Sequence, residues 1–110
     1  MQLIFAKENK EIFEMIKSGE KSVETRAATQ RYKSIIPGDV LTFVCEGDSF
    51  KKTVTKTKVF PSVHSLLERY QPKEINPKLE TVGEINAMYQ SFPGYEAKIK
   101  EHGILAIEVK

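Results

Sequence analysis

The sequence predicts an α+β fold: a small, partly closed mixed β-barrel of about five strands flanked by three or four helices. Three observations carry that expectation. Apolar spacing switches repeatedly between a period of two and a period near 3.6. The elements follow the order β, α, β, β, β, α, α, α, β. Both ends of the chain read as strands, which can pair and close a barrel. At 110 residues, positions 1–110 read as one domain with a small core of its own.

Leu3 to Phe5 is a short apolar run suited to a first strand. Asn9 is placed to cap a helix over Lys10 to Ser18, with Ile12, Phe13 and Ile16 on one face. Gly19 stands where a left-handed C-terminal cap belongs. Ser22 to Arg26 reads as a strand, with Val23 and Thr25 on one side and Ser22, Glu24 and Arg26 on the other. Ala27 to Ile36 reads as a loop, and Pro37-Gly38-Asp39 as a turn. Val40 to Cys45 is apolar on both faces and predicts a buried central strand.

After a turn at Glu46-Gly47-Asp48, Phe50 to Phe60 forms a long β-branched strand. Val54 and Val59 fall on opposite faces of an unbroken strand, so a bulge is expected between them. Ser62 caps a helix that carries Val63, Leu66, Leu67 and Tyr70, and Gln71-Pro72 ends it. Thr81-Val82-Gly83-Glu84 has capping-box spacing for a helix running to Tyr89. Ser91 to Tyr95 is a loop, Glu96 to His102 a short helix closed by Gly103, and Ile104 to Val109 the last strand. Leu105, Ile107 and Val109 share one of its faces. Strand order does not follow from this pattern.

Composition narrows the function classes. Hydrophobic residues at 40% and charged residues at 29% mark a globular chain. A net charge of +2 is compatible with nucleic-acid binding without announcing it, so any basic footprint must be local. The single cysteine, Cys45, excludes an internal disulfide and cysteine-based zinc ligation, and reads as a buried thiol. No apolar run is long enough to span a membrane, and the N-terminus lacks signal-peptide character, so a cytoplasmic location is expected. No phosphate loop, nucleophile elbow or pair of histidines at metal spacing is present, so neither cofactor nor metal is expected. His64 and His102 sit in terminal turns of helices and read as structural.

The stretch with chemical potential is Gly19 to Arg26. Glu24 and Arg26, two apart on a strand, share a face at roughly 7 Å between Cα atoms. Lys21 lies at the helix–strand junction, where the turn can aim it at the same point. Arginine supplies a bidentate fork, glutamate accepts from amino groups, and lysine serves as point charge or proton carrier. The plain alternative is a solvated strand face with a surface ion pair. Arg31 and Lys33 flank Tyr32, a candidate for stacking a base, and Lys51, Lys52, Lys56 and Lys58 add basic character along one strand. An edge strand protected by lysines is the competing explanation for that run.

The string Gly19-x-Lys21-x-x-Glu24-x-Arg26 resembles the signature of the ASCH domain family at all four positions. Pro37-Gly38-Asp39 before an apolar strand, Phe60-Pro61-Ser62 before a Leu-rich helix, and Tyr95-Glu96 followed by Gly103-Ile104-Leu105-Ala106-Ile107-Glu108 are similar to further segments of that family. The resemblance implies a PUA-like barrel with a cleft at the motif that binds RNA or a nucleotide. Lys21, Glu24 and Arg26, with Arg31, Tyr32 and Lys33, are then the candidate ligand contacts.

A more distant resemblance is to small amidohydrolases that remove the acetyl group of N4-acetylcytidine. These use a lysine at the position of Lys21, a threonine at that of Glu24, and a glutamate further on. Lys21 matches, Glu24 does not, and Glu74, Glu80 and Glu84 are the candidates for the third role. On that reading Lys21 and Glu24 are catalytic. A ribonuclease is the third reading, for which no histidine is visibly tied to the motif.

Overall fold

The computed structural model describes all 110 residues. Five strands form one sheet: β1 (Gln2–Phe5), β2 (Val23–Ala27), β3 (Val40–Cys45), β4 (Asp48–Phe60) and β5 (Ile104–Val109). Their spatial order is β1-β3-β4-β5-β2. β1 runs parallel to β3, and the other neighbours are antiparallel. Six helices decorate the sheet: α1 (Lys10–Ser18), α2 (Gln30–Lys33), α3 (Val63–Arg69), α4 (Pro72–Ile75), α5 (Val82–Ser91) and α6 (Tyr95–His102). The terminal strands do not pair. β5 inserts between β4 and β2, which leaves β1 and β2 as the two open edges. Both edges border one cavity, so the sheet is curled into a half-barrel with its gap at that cavity.

Each face of the curled sheet has its own core. On the inner face Leu3, Phe5, Leu41, Phe43, Cys45, Val54, Leu105, Ile107 and Val109 pack against Phe13 and Ile16 of α1. Phe43 and Phe50 are paired across strands and stack at 5.0 Å between ring centroids. Full burial of the Phe43 ring contributes about 1.5–3 kcal/mol. On the outer face Val23, Ala27, Phe60, Ile104 and Ala106 pack under residues of α3 to α6. β5 is therefore covered on both faces, more than the single apolar face that its odd positions predict.

β3 is central in the sheet but not buried on both sides. Leu41, Phe43 and Cys45 point inward, while Val40 stays 52% exposed. No helix lies over that half of the outer face, so its apolar residues remain in contact with water. The expected bulge falls between Val54 and Lys56. It puts Val54 and Val59 on one face, opposite Val109 and Leu105 respectively, and sends Val54 and Phe60 to different cores. β4 lies between β3 and β5, so its lysines do not protect a sheet edge.

Local chemistry explains most boundaries. Gly19 adopts φ +88°, the left-handed cap that stops α1. Gly103, at φ +84°, has no room for a side chain, because a Cβ there would lie 2.6 Å from the Phe60 carbonyl oxygen. Ser62 accepts from the Ser65 amide, and Thr81 with Glu84 forms a reciprocal capping box. Asn9 makes no side-chain cap; it ends a 3₁₀ turn over Lys7–Asn9 that leads into α1. β2 begins and ends one residue later than its alternation suggests, and the loop after it contains the one-turn α2. No helix is long and apolar enough to cross a membrane.

Candidate functional site

The site begins with the way α1 ends. The left-handed turn at Gly19 folds the chain back, and the Lys21 amide donates to the Met15 carbonyl at 3.0 Å. Lys21 is thereby drawn against the helix end it has just left, and it is only 3% exposed. β2 follows. Glu24 and Arg26 pair with Ile107 and Leu105, so they face the inner side of the sheet.

Three charged side chains converge there. The Lys21 ammonium donates to the Val23 carbonyl and to Glu24 Oε1 at 3.3 Å. Arg26 donates to Glu24 Oε2 at 3.1 Å. Glu24 Oε1 also accepts from the Thr25 amide at 3.2 Å. The Arg26 guanidinium lies 5.2 Å from the Phe5 ring centroid and 5.7 Å from that of Tyr32, within cation–π range of both.

Three of the outward-facing backbone groups of β2 are held by side chains. Ser22 and Val109 share a ladder hydrogen bond, which by alternation turns the polar groups of Val23, Thr25 and Ala27 away from β5. Lys21 takes the Val23 carbonyl, Glu24 takes the Thr25 amide, and the Tyr95 hydroxyl accepts from the Ala27 amide at 2.8 Å. The Thr25 hydroxyl is hydrogen-bonded to that of Tyr89. Tyr89 and Tyr95 stack in parallel, 6.0 Å between centroids.

Electrostatics follow from burial and from the trio itself. Burial pushes the Lys21 ammonium below its usual range, with Glu24 pulling the other way. Burial by itself raises Glu24, but the adjacent Lys21 and Arg26 overcome it and hold the carboxyl below the ordinary value. Burial acts to lower Arg26, and Glu24 more than offsets it. Burial pushes the Tyr89 and Tyr95 hydroxyls up, so both remain protonated donors at neutral pH.

The trio lines a cavity of about 400 Å³, within the usual span for small-molecule sites. Ile4 and Phe5 of β1 line one side, and Thr25 of β2 the other. Ile75, Met88, Tyr89, Phe92 and Tyr95 form the remaining wall. Lys21, Glu24 and Arg26 are its sole charged lining residues. An adjoining hollow shares Asn9, Ile12, Asn76 and Met88 with it.

The motif residues are thus brought together, and the neighbouring candidates are not. Arg31 and Lys33 are exposed on α2 and do not line the cavity. Tyr32 is half-buried against the inner core, with the two arginines over its ring, and is also absent from the lining. Glu74 accepts from the Gln71 amide, Glu80 pairs with Lys73, and Glu84 serves its capping box. None of the three lines the cavity, although Glu84 borders the adjoining hollow. His64 is exposed, and His102 lies 3.6 Å from Glu101; both are outside the cavity. No cluster of three or more His, Cys, Asp or Glu side chains could hold a metal ion.

Sequence reasoning missed the aromatic wall. Tyr89 and Tyr95 reach β2 from more than 60 residues away along the chain, and Phe92 packs edge-on against both. The available signal was their spacing of three around Pro93-Gly94, which reads equally well as loop packing.

No protein-family model matches the chain, and no curated protein matches it. Solved structures do. The crystal structure of hypothetical protein PH0355 is 28% identical, covers 100% of this chain and 98% of its own, and superposes with a TM-score of 0.81. The solution NMR structure of protein PF0455 from Pyrococcus furiosus is 30% identical over 100% of this chain and 96% of that one, with a TM-score of 0.77. Identity at that level, sustained along both chains, places this protein in the same family as PF0455.

Proposed function

We propose that this protein is an ASCH-type, PUA-like domain whose cleft binds RNA or a nucleotide, free or modified, at Lys21, Glu24 and Arg26. The observation that carries the reading is the cavity of about 400 Å³, lined by apolar and aromatic residues together with buried Lys21 and Glu24 and half-buried Arg26. An apolar wall accepts the face of a base, and a few convergent polar groups fix its orientation. The resemblance of Gly19-x-Lys21-x-x-Glu24-x-Arg26 to the ASCH signature agrees with that placement. The test is a titration with nucleosides, nucleotides and short RNAs at several salt concentrations. Saturable binding that weakens with salt supports the reading; no binding of any of them ends it.

A second reading, an amidohydrolase acting on an acylated nucleoside, draws on Lys21. A lysine so buried, with its ammonium destabilised and a carboxylate at 3.3 Å, has the environment of a general base or nucleophile. Against it, no carboxylate other than Glu24 lines the cavity, and Glu24 is held ionised. Incubation with N4-acetylcytidine followed by chromatography decides it: turnover that disappears in Lys21→Ala supports the enzyme, and no turnover by the wild type removes it. The ribonuclease reading finds no histidine in the cleft.

A further inference from the structure

The charge of the cleft does not balance. Lys21, Glu24 and Arg26 are its charged residues, two cations against one anion. The carboxylate is also largely spent. Glu24 Oε1 serves Lys21 and the Thr25 amide, and Oε2 serves Arg26. A carboxylate has roughly four lone-pair sites, so Glu24 has little left for a ligand. Its part is to position the two cations.

Arg26 is in the opposite condition. Of its five N–H donors, its recorded hydrogen bond to a protein acceptor is the one to Glu24. No fully buried side-chain nitrogen in the protein lacks a partner, so the unpaired nitrogens of Arg26 keep access to solvent, and Arg26 lines the cavity. The Phe5 and Tyr32 rings lie 5.2 and 5.7 Å from the guanidinium carbon and help to fix its position. A guanidinium fixed in place with donors to spare, in a cleft with apolar walls, is suited to a bidentate oxyanion.

We infer that the ligand of this cleft carries a phosphate oxyanion seated on the unpaired donors of Arg26, with Lys21 beside it, while its apolar or planar body lies against Tyr89, Phe92 and Ile4. This rests on the reading of the cleft as a nucleotide site and narrows it: the site takes nucleotides over neutral nucleosides. The anion completes the charge balance that Glu24 leaves unfilled.

The experiment is calorimetric titration of the wild-type protein with cytidine, cytidine monophosphate carrying its phosphate at the 5′ or the 3′ position, and inorganic phosphate. The inference expects one monophosphate to bind at least about tenfold more tightly than the nucleoside at low salt, an advantage that shrinks as salt rises. Inorganic phosphate binds far more weakly than that monophosphate and competes with it. In Arg26→Gln the affinity for the monophosphate falls to that for the nucleoside. Equal binding of nucleoside and both monophosphates by the wild type overturns the inference and leaves the cleft reading intact. Inorganic phosphate binding as tightly as the nucleotide also overturns it, since the body then adds nothing. Binding of none of the four removes the cleft reading and the inference together. The wild-type comparison decides the matter even where Arg26→Gln fails to fold.

Discussion

The two open edges of the sheet are built on opposite principles. β1 is four residues long, held to β3 on one side, with Leu3 and Phe5 sunk into the inner core and Ile4 65% exposed. Its place is fixed by apolar packing. β2 buries Lys21 and Glu24 beside its edge and ties three of its outward backbone groups to side chains from its own chain neighbours and from α6. Burying charge is costly unless every partner is present, and an apolar arrangement of the same shape would be no less stable. The difference teaches that folding alone explains why Leu3 and Phe5 are buried at the β1 edge, and does not explain the buried charge at the β2 edge. Charge held there at a cost in stability points to use.

Substitutions at the two edges sharpen that contrast. The largest effect is expected from Glu24→Gln, which leaves Lys21 and Arg26 without their shared anion. Removing one partner of a buried ion pair costs about 3–5 kcal/mol, read as a lower urea midpoint with unchanged slope. A loss below about 1 kcal/mol would mean that the trio is solvated rather than buried. Phe5→Ala on β1 is expected to cost a comparable or slightly smaller amount, about 3 kcal/mol, through lost packing and a cavity. It differs in kind, because most of that loss is packing and varies little with salt or pH.

Tyr95→Phe removes the acceptor of the Ala27 amide and is expected to cost about 1–3 kcal/mol. The smallest effect belongs to the double change Arg31→Ala and Lys33→Ala. Exposed on α2, outside the cavity, they are expected to shift stability by less than about 0.5 kcal/mol and to leave nucleotide affinity within twofold. A tenfold loss of affinity there would move the ligand out of the cleft and onto α2.

pH separates the edges as well. Glu24 is held below its ordinary value of 4.5, so in acid the unfolded chain binds its proton before the folded chain does. The stability it contributes is complete above that ordinary value and drains away as pH falls through the lower, folded value. Lys21 is lowered from 10.5, so the unfolded chain again holds the extra proton, and stability rises with pH in the window just below 10.5. Stability measured against pH in wild type and in Glu24→Gln is expected to show a shallower acid limb in the variant.

Much of this contrast was legible in the residues, and what was not has a physical reason. Gly19 as a left-handed cap, the bulge after Val54 and the Thr81–Glu84 box are local signals, and each lies where its chemistry put it. The convergence of Lys21, Glu24 and Arg26 was legible because strand alternation and a helix cap place them within a few residues of one another. The insertion of β5 between β4 and β2 depends on pairings between distant segments, on which periodicity is silent. α2 is a single turn, too short to form on propensity, and it is supported by the packing of Tyr32 on the inner core. The aromatic wall escaped because Tyr89 and Tyr95 declare themselves only by meeting Thr25 and Ala27 across the fold.

The central claim is that the β2 edge and its aromatic wall form one ligand cleft. Its most direct test is an amide chemical-shift map of the labelled protein, titrated with a cytidine monophosphate. Shifts are expected at Lys21 and at Glu24 through Arg26, accompanied by Tyr89, Phe92 and Tyr95, and tracking a single binding curve. Shifts confined to α2 and the outer face of β4, with the β2 edge unmoved, would contradict it.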